Sequence, residues 1–179
     1  MQDAMADIII GVDPGVHGAL AWFLDRELFY VQNLPKIDES KPTKGAALRD
    51  IIGGAKVKRS FKSDTDGLVK TFRAIVRGRP ATMILERVHT FPGQGAVSTG
   101  KLIKSFGDIC GAASMCGIQI LPVDPTEWKR RIGANSDKRH SLQMAKRLFP
   151  LFAHEFEKQL DHNKAEAALI GYYGVKWIP

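Results

Sequence analysis

The chain of 179 residues has no apolar run near the roughly 18 residues that a membrane-spanning helix needs. It also lacks a basic-then-apolar leader, because Ile8–Val12 is short and runs directly into Asp13. Cysteine is scarce: Cys110 and Cys116 lie in an apolar helical stretch without metal-ligand spacing, so they read as small core residues and demand no oxidising compartment. There is no internal repeat and no low-complexity tract. These absences exclude a membrane protein, a disulfide scaffold and a repeat array, and point to the cytosol. A hydrophobic content of 44% is ordinary for a globular protein, and the length suits one domain with a real core rather than two.

Acidic residues are in the minority, 19 against 26 Lys and Arg, for a net charge of +7. The excess is local. Residues 36–62 carry eight Lys/Arg against three acids, and residues 129–147 carry seven against one, so the rest of the chain is net negative. Basic flanks around an acidic remainder suit a protein that grips a polyanion while holding cations at an acidic centre; Lys-rich loops that merely keep a protein soluble are the plain alternative.

The hydrophobic pattern gives the order β-β-β-α-β-α-β-α-α. Residues 7–13, 18–24 and 27–32 read as an antiparallel meander with Asp25-Arg26 as its tight turn. Residues 36–62 read as a long basic loop insertion, with a short helix near 46–52. An amphipathic helix over 66–78 leads into a buried strand over 82–86, the parallel crossover unit. A long helix over 96–116, a strand over 118–123, a helix over 138–148 capped by Ser136-Asp137, a short helix over 154–160 and a last helix over 161–177 follow. The expectation is one α/β domain over residues 1–179, with a five-stranded mixed sheet (three antiparallel strands, then two parallel) and helices on both faces.

Three of these elements carry acids where such a sheet builds its site: Asp13 ends the first strand, Glu86 ends the fourth, and Glu166 lies on the last helix with Asp161 nearby. A carboxylate at the end of a buried run is expensive unless something pairs with it; capping the Pro14-Gly15 turn is the other use for Asp13. If the first and fourth strands are neighbours, Asp13 and Glu86 project side by side and repel unless a cation neutralises them. Mg²⁺ is the natural partner, with Mn²⁺ as substitute, because hard cations prefer oxygen ligands. Two such ions roughly 4 Å apart support phosphodiester hydrolysis by activating water and stabilising the leaving oxygen.

The stretches Ile-Gly-Val-Asp-Pro-Gly-x-x-Gly-Ala-Leu-Ala from Ile10, Leu-Glu-Arg-Val from Leu85, Val-Asp-Pro-x-x-Trp-Lys from Val123 and Asp-His-Asn-Lys-Ala-Glu-Ala-Ala-Leu-Ile from Asp161 carry a family resemblance. Together they resemble RuvC-type Holliday junction resolvases, nearest to the phage-like branch, over residues 7–173. The resemblance implies an RNase H-like fold, a homodimer, Mg²⁺-dependent symmetric nicking of four-way DNA junctions, and metal-binding roles for Asp13, Glu86 and Glu166. It also suggests a phage or phage-infected host setting. The family often has an acid or His one helical turn before the last carboxylate; here Asn163 and His162 stand there. Asp161 is five residues before Glu166, about 140° around a regular helix, and reaches the metals only if the helix starts after it. Asp161 is the expected fourth ligand, with His162 as rival and a plain N-cap role as the alternative.

His89, three residues after Glu86, and Phe91 stand where the family places a stacking aromatic, and either can stack on a base. Lys129, Arg130, Arg131, Lys138 and Arg139 read as phosphate contacts, with Trp128 anchoring that segment in the core, and Lys101 and Lys104 face DNA from the long helix. Lys164 is either an electrostatic helper beside Glu166 or a solvated helix lysine. Paired nicks require two sites related by a two-fold axis, and the helix over 96–116, with Gly111, Ala112 and Ala113, is the candidate dimer interface unless one subunit's core uses it. The alternatives are an RNase H-like nuclease on other branched DNA or RNA/DNA hybrids, and a non-catalytic junction-binding protein. An actin-like phosphotransferase needs a second lobe for which 179 residues leave no room.

Overall fold

A computed structural model describes residues 8–39, 60–89, 93 and 95–178. Among the described residues, seven strands and five α-helices form in the order β1 (Ile8–Asp13), β2 (Ala19–Leu24), β3 (Glu27–Asn33), β4 (Lys36–Asp38), β5 (Phe61–Ser63), α1 (Thr65–Val76), β6 (Ala81–Glu86), α2 (Ala96–Met115), β7 (Gln119–Val123), α3 (Pro125–Ile132), α4 (Lys138–Leu148) and α5 (His162–Trp177). Two 3₁₀ segments, Pro150–Phe156 and Gln159–Asp161, stand where the sequence suggests one short helix. No helix among the described residues is long and apolar enough to cross a membrane.

The main sheet has the order β3-β2-β1-β6-β7. β1 pairs antiparallel with β2 and parallel with β6, and β6 pairs parallel with β7. This is the expected mixed sheet. Asp25 and Arg26 both have positive φ (51° and 68°), the geometry of a two-residue hairpin turn whose twist matches the strands.

Side chains alternate across each strand. Ile8, Ile10 and Val12 of β1 and Met83 and Leu85 of β6 pack against Leu68, Phe72 and Ile75 of α1 and Ile109, Ala112 and Ala113 of α2. The opposite face, through Ala19, Ala21, Phe23 and Ile84, meets α4 and α5. Asp13 and Glu86 continue this second series and so face the α5 side. Helix α5 is buried on almost every side, as expected of a helix between a sheet and a second layer. It lies unusually close to β1: a Cβ on Gly11 would stand 2.2 Å from the Gly171 nitrogen and 2.3 Å from the Ala167 oxygen. Only glycine permits that approach.

Two features depart from the sequence reading. β4 and β5 pair as a separate two-stranded ribbon, closing the ends of the basic insertion. Three-residue strands paired across twenty-two intervening residues leave no periodic signal. Residues 40–59, which include the suggested helix at 46–52, lie outside the described residues, as does Phe91. The second feature is α3, which begins at the Asp124 cap, carries Pro125 in its first turn and ends at Gly133 with φ 73°. Half of its eight residues are charged, which hides its apolar spacing.

Candidate active site

Asp13 ends β1 where the chain must turn sharply. Gly15 adopts φ 133°, open to glycine alone, and the Gly18 N–H closes the turn on the Gly15 oxygen at 3.0 Å. Asp13 and Glu86 lie one residue beyond the parallel pair Val12–Leu85, at the carboxyl edge of adjacent strands. This is where open α/β sheets place their sites. Glu166 arrives from the second turn of α5, its height set by the close packing of Gly11 on Gly171.

The three carboxyls share an electrostatic environment. Burial, then the charges of Glu166 and Glu86, push the Asp13 pKa well above the ordinary carboxylate range against the opposing pull of Lys129 and Lys138. Glu86 is also raised, chiefly by burial, although Trp128 and Lys129 favour its ionised form. The indole N–H of Trp128, wholly buried, donates to Glu86 Oε2 at 2.7 Å. Glu166 Oε1 lies 3.5 Å from Lys129 Nζ and accepts from the buried Ser141 hydroxyl at 3.4 Å. Glu86 and Glu166 are therefore each steered by a named neighbour. Trp128 was legible as an anchor through its place in the Val-Asp-Pro-x-x-Trp-Lys stretch; nothing in the sequence marks Ser141.

Asp161 sits at the cap position before α5, as the expected helix start requires. Its carboxylate accepts from the Lys158 N–H at 2.8 Å and pairs with Lys164 at 3.0 Å. Burial would raise its pKa, but these partners outweigh it and the pKa is lowered. Lys164 also binds Glu155 at 2.8 Å and its side chain is only 12% exposed, so it is neither a solvated lysine nor a partner of Glu166. His162 Nδ1 lies 2.8 Å from the Gln159 oxygen. The residue of this turn that lines the cleft beside Asp13 is Asn163, whose amide donates to the His17 oxygen at 2.6 Å.

Among the basic residues, Arg130, Arg131, Lys138 and Arg139 are exposed on α3 and the first turn of α4, and Arg131 pairs loosely with Glu127 at 3.7 Å. Lys129 and Lys138 are the two close enough to act on Asp13. Lys104 pairs with Asp108 at 2.7 Å, and Lys101 donates to Ser60 Oγ at 2.9 Å. His89 lies 3.2 Å from Asp124.

The sequence matches no protein-family model and no curated protein. In three dimensions the chain is similar to Thermus thermophilus RuvC in complex with a Holliday junction substrate, with a TM-score of 0.55 and 15% identity over 93% of this chain and 94% of the other. A second Thermus thermophilus RuvC structure matches with a TM-score of 0.54 and 16% identity over the same shares. The chain thus has the RNase H-like fold of RuvC across nearly its whole length.

Proposed function

We propose that this protein is a divalent-metal-dependent endonuclease that resolves four-way DNA junctions by paired nicks, acting as a homodimer in the cytosol of a bacterial or phage-infected cell. The observation that carries the reading is the meeting of Asp13, Glu86 and Glu166 at one sheet edge, close enough that the other two carboxylates oppose ionisation of Asp13. The likeness in fold to a RuvC solved on a Holliday junction supports a branched-DNA substrate.

The donor set suits Mg²⁺ or Mn²⁺ in chemistry: oxygen ligands only, and excess negative charge that a hard cation relieves. Among the described residues no group of three or more His, Cys, Asp or Glu side chains stands ready to hold a metal, since Glu86 is turned to Trp128 and Glu166 to Lys129. Asp13, Glu86 and Glu166 are the residues that would hold the metal. Bound metal, two ions in this reading, would supply activation of the attacking water and stabilisation of the leaving oxygen.

The chain's own residues do the rest. Trp128 holds Glu86 in a fixed orientation, and Lys129 and Ser141 hold Glu166 at the rim. Lys129 and Lys138 offset negative charge at the centre and favour an approaching phosphate. Arg130, Arg131 and Arg139 extend that attraction along α3 and α4 as phosphate contacts that position DNA without reading its sequence. Lys101, Lys104 and His89 flank the same edge, with Lys104 partly spent on Asp108. Asp161 would have to leave Lys158 and Lys164 to ligate metal; we assign it to ordering the first turn of α5.

The test is cleavage of a labelled four-way junction and of linear duplex and RNA/DNA hybrid of the same sequence, with Mg²⁺ or EDTA, alongside Asp13→Asn. Paired nicks on the junction alone, lost with EDTA and in the variant while binding persists, are expected. Binding without cleavage under any divalent metal would overturn the enzymatic reading, and preference for the hybrid would overturn the substrate.

A further inference from the structure

The end of the sheet remote from Asp13 carries a groove of about 370 Å³ between the β2–β3 hairpin and α1. Ile8 opens β1 there, five residues before Asp13, so the groove lies about 17 Å along the strand from the carboxylates. It also lies on the opposite face, because Ile8 packs toward α1 whereas Asp13 faces α5. The floor is apolar, made by Ile8, Trp22, Leu24 and Ile75. One wall comes from an irregularity of β3. The register pairs Trp22 with Tyr30 and Phe23 with Leu28, so Phe29 is the extra residue of a bulge. Phe29 lines the groove beside Trp22, whose ring tilts against Tyr30 with 4.8 Å between centres. Both are unusually open for aromatic side chains, Phe29 58% and Tyr30 47% exposed. β3 ends the sheet, and among the described residues no strand pairs with its outer edge. Arg77 and Arg79, just past the end of α1, line the same groove. Arg77 Nε donates to the Ala74 oxygen of its own helix, and among the described residues neither guanidinium has a carboxylate partner. No acid stands among the described residues that line the groove.

Two cations without counter-ions beside exposed aromatic rings define what is complementary to this surface. Apolar walls are covered by apolar side chains, and guanidinium groups take carboxylates in a forked geometry. An unpaired sheet edge accepts an extended backbone. We propose that the groove docks an extended acidic peptide segment of a partner protein. An aromatic or long aliphatic side chain of that segment sits against Trp22 and Phe29, and a carboxylate pairs with Arg77 and Arg79. A phosphate backbone would satisfy the arginines and leave the aliphatic floor of Ile8, Leu24 and Ile75 uncovered. The position of the groove, at the other end and on the other face of β1, leaves the carboxylate edge open while a partner is held. Docking here is independent of the nuclease reading, and it gives the protein a means of recruitment that does not compete with its site.

A random peptide library displayed on phage is selected against the 179-residue chain. Enriched peptides are synthesised with a fluorescein label and titrated by anisotropy against wild type, Phe29→Ser and Arg79→Glu. The expected consensus sets one or more acids beside an aromatic or long aliphatic residue. Each variant should weaken binding about tenfold or more, as loss of an interface anchor does, and added salt should lower the wild-type affinity. Both substitutions lie on the surface, so the melting transition and the affinity for a four-way junction should stay close to those of wild type. No enrichment, a consensus without acids, or peptide affinity unchanged in both variants would overturn the assignment. Loss of junction binding in both variants would overturn it by giving the groove to DNA. A wild-type dimer that Phe29→Ser dissolves would overturn it by giving the groove to a second copy of the chain.

Discussion

Asp13 ends a strand whose other side chains are apolar, and its carboxyl looks toward two more. With its folded pKa raised above the unfolded value near 3.9, the folded protein binds this proton more tightly than the unfolded chain does. Stability of the metal-free protein therefore falls as pH rises from the unfolded pKa through the raised folded one, and stays reduced above it; Glu86, also raised, adds to the same trend. Asp13→Asn removes the carboxyl with the larger upward shift. Without divalent metal, the variant should melt at a higher temperature than wild type at pH 8, with the gap closing as the pH drops toward 4. Mg²⁺ should raise the melting temperature of wild type at pH 8, as a ligand bound only by the native state must, and raise that of the variant much less. Junction cleavage should climb with pH through a range above that of ordinary carboxylates, because the proton on Asp13 competes with the metal. Differential scanning fluorimetry at several pH values, with EDTA and with Mg²⁺, reads the stability effects directly. A wild type more stable than Asp13→Asn at pH 8 without metal would show that the three carboxylates do not repel.

At the scale of elements, the position of α5 decides whether Glu166 reaches the sheet edge at all. That helix rests on β1 through Gly11 and Gly171, and a methyl at Gly11 would meet backbone rather than a yielding side chain. Overpacking of this kind costs about 1–3 kcal/mol, more where backbone must move. Gly11→Ala should therefore lower stability by at least that much in urea unfolding, and cut junction cleavage at least tenfold at temperatures where the variant is still folded, since Glu166 moves away from Asp13. Equal cleavage by the folded variant would show that Glu166 need not sit where α5 now holds it. The sequence announced the strand ends and the helix, because apolar runs that terminate in Asp13 and Glu86 are local signals. It also announced the α4 cap at Asp137, and it placed the last helix over 161–177, one residue ahead of its start at His162. The Trp128–Glu86 hydrogen bond joins residues 42 apart in the chain, and the Lys164–Glu155 pair depends on the course of a 3₁₀ segment; neither distance is written in any local pattern. The ribbon that carries Phe61 escaped for the same reason, and with it the cleft beside Asp13. Lys164 shows the limit from the other side: on spacing alone it is a surface lysine, yet it is nearly buried between two carboxylates.

For the whole molecule, the decisive surface is the outer side of α2. Ala112 and Ala113, two of the small residues expected at an interface, are fully buried in the subunit's own core. The outer side instead presents Gly100, Ile103, Gly107 and Gly111, which recur at three- and four-residue steps along one exposed face, with Ile103 54% exposed. A Cβ added at Gly100, Gly107 or Gly111 would meet nothing within 4 Å among the described residues. Glycine in a helix interior is disfavoured by about 1 kcal/mol relative to alanine, so three of them weaken α2 with no packing benefit inside one chain. Close approach of a second α2 across a two-fold axis gives them a use, since the missing side chains let two helix backbones draw near while Ile103 is buried. Such an axis would also relate two carboxylate sites, the arrangement that paired nicks need. Ile103→Glu places a charge at the centre of this face and, at a side chain 54% exposed, disturbs no buried contact of the subunit. By sedimentation velocity, wild type is expected as a dimer and Ile103→Glu as a monomer of unchanged melting transition. On a circular plasmid bearing an extruded four-way junction, the dimer should give linear product in one binding event, whereas the monomer should accumulate singly nicked circles before any linear form. A wild type that sediments as a monomer, alone and on the junction, would remove α2 as an interface and require the second nick to come from an independent encounter.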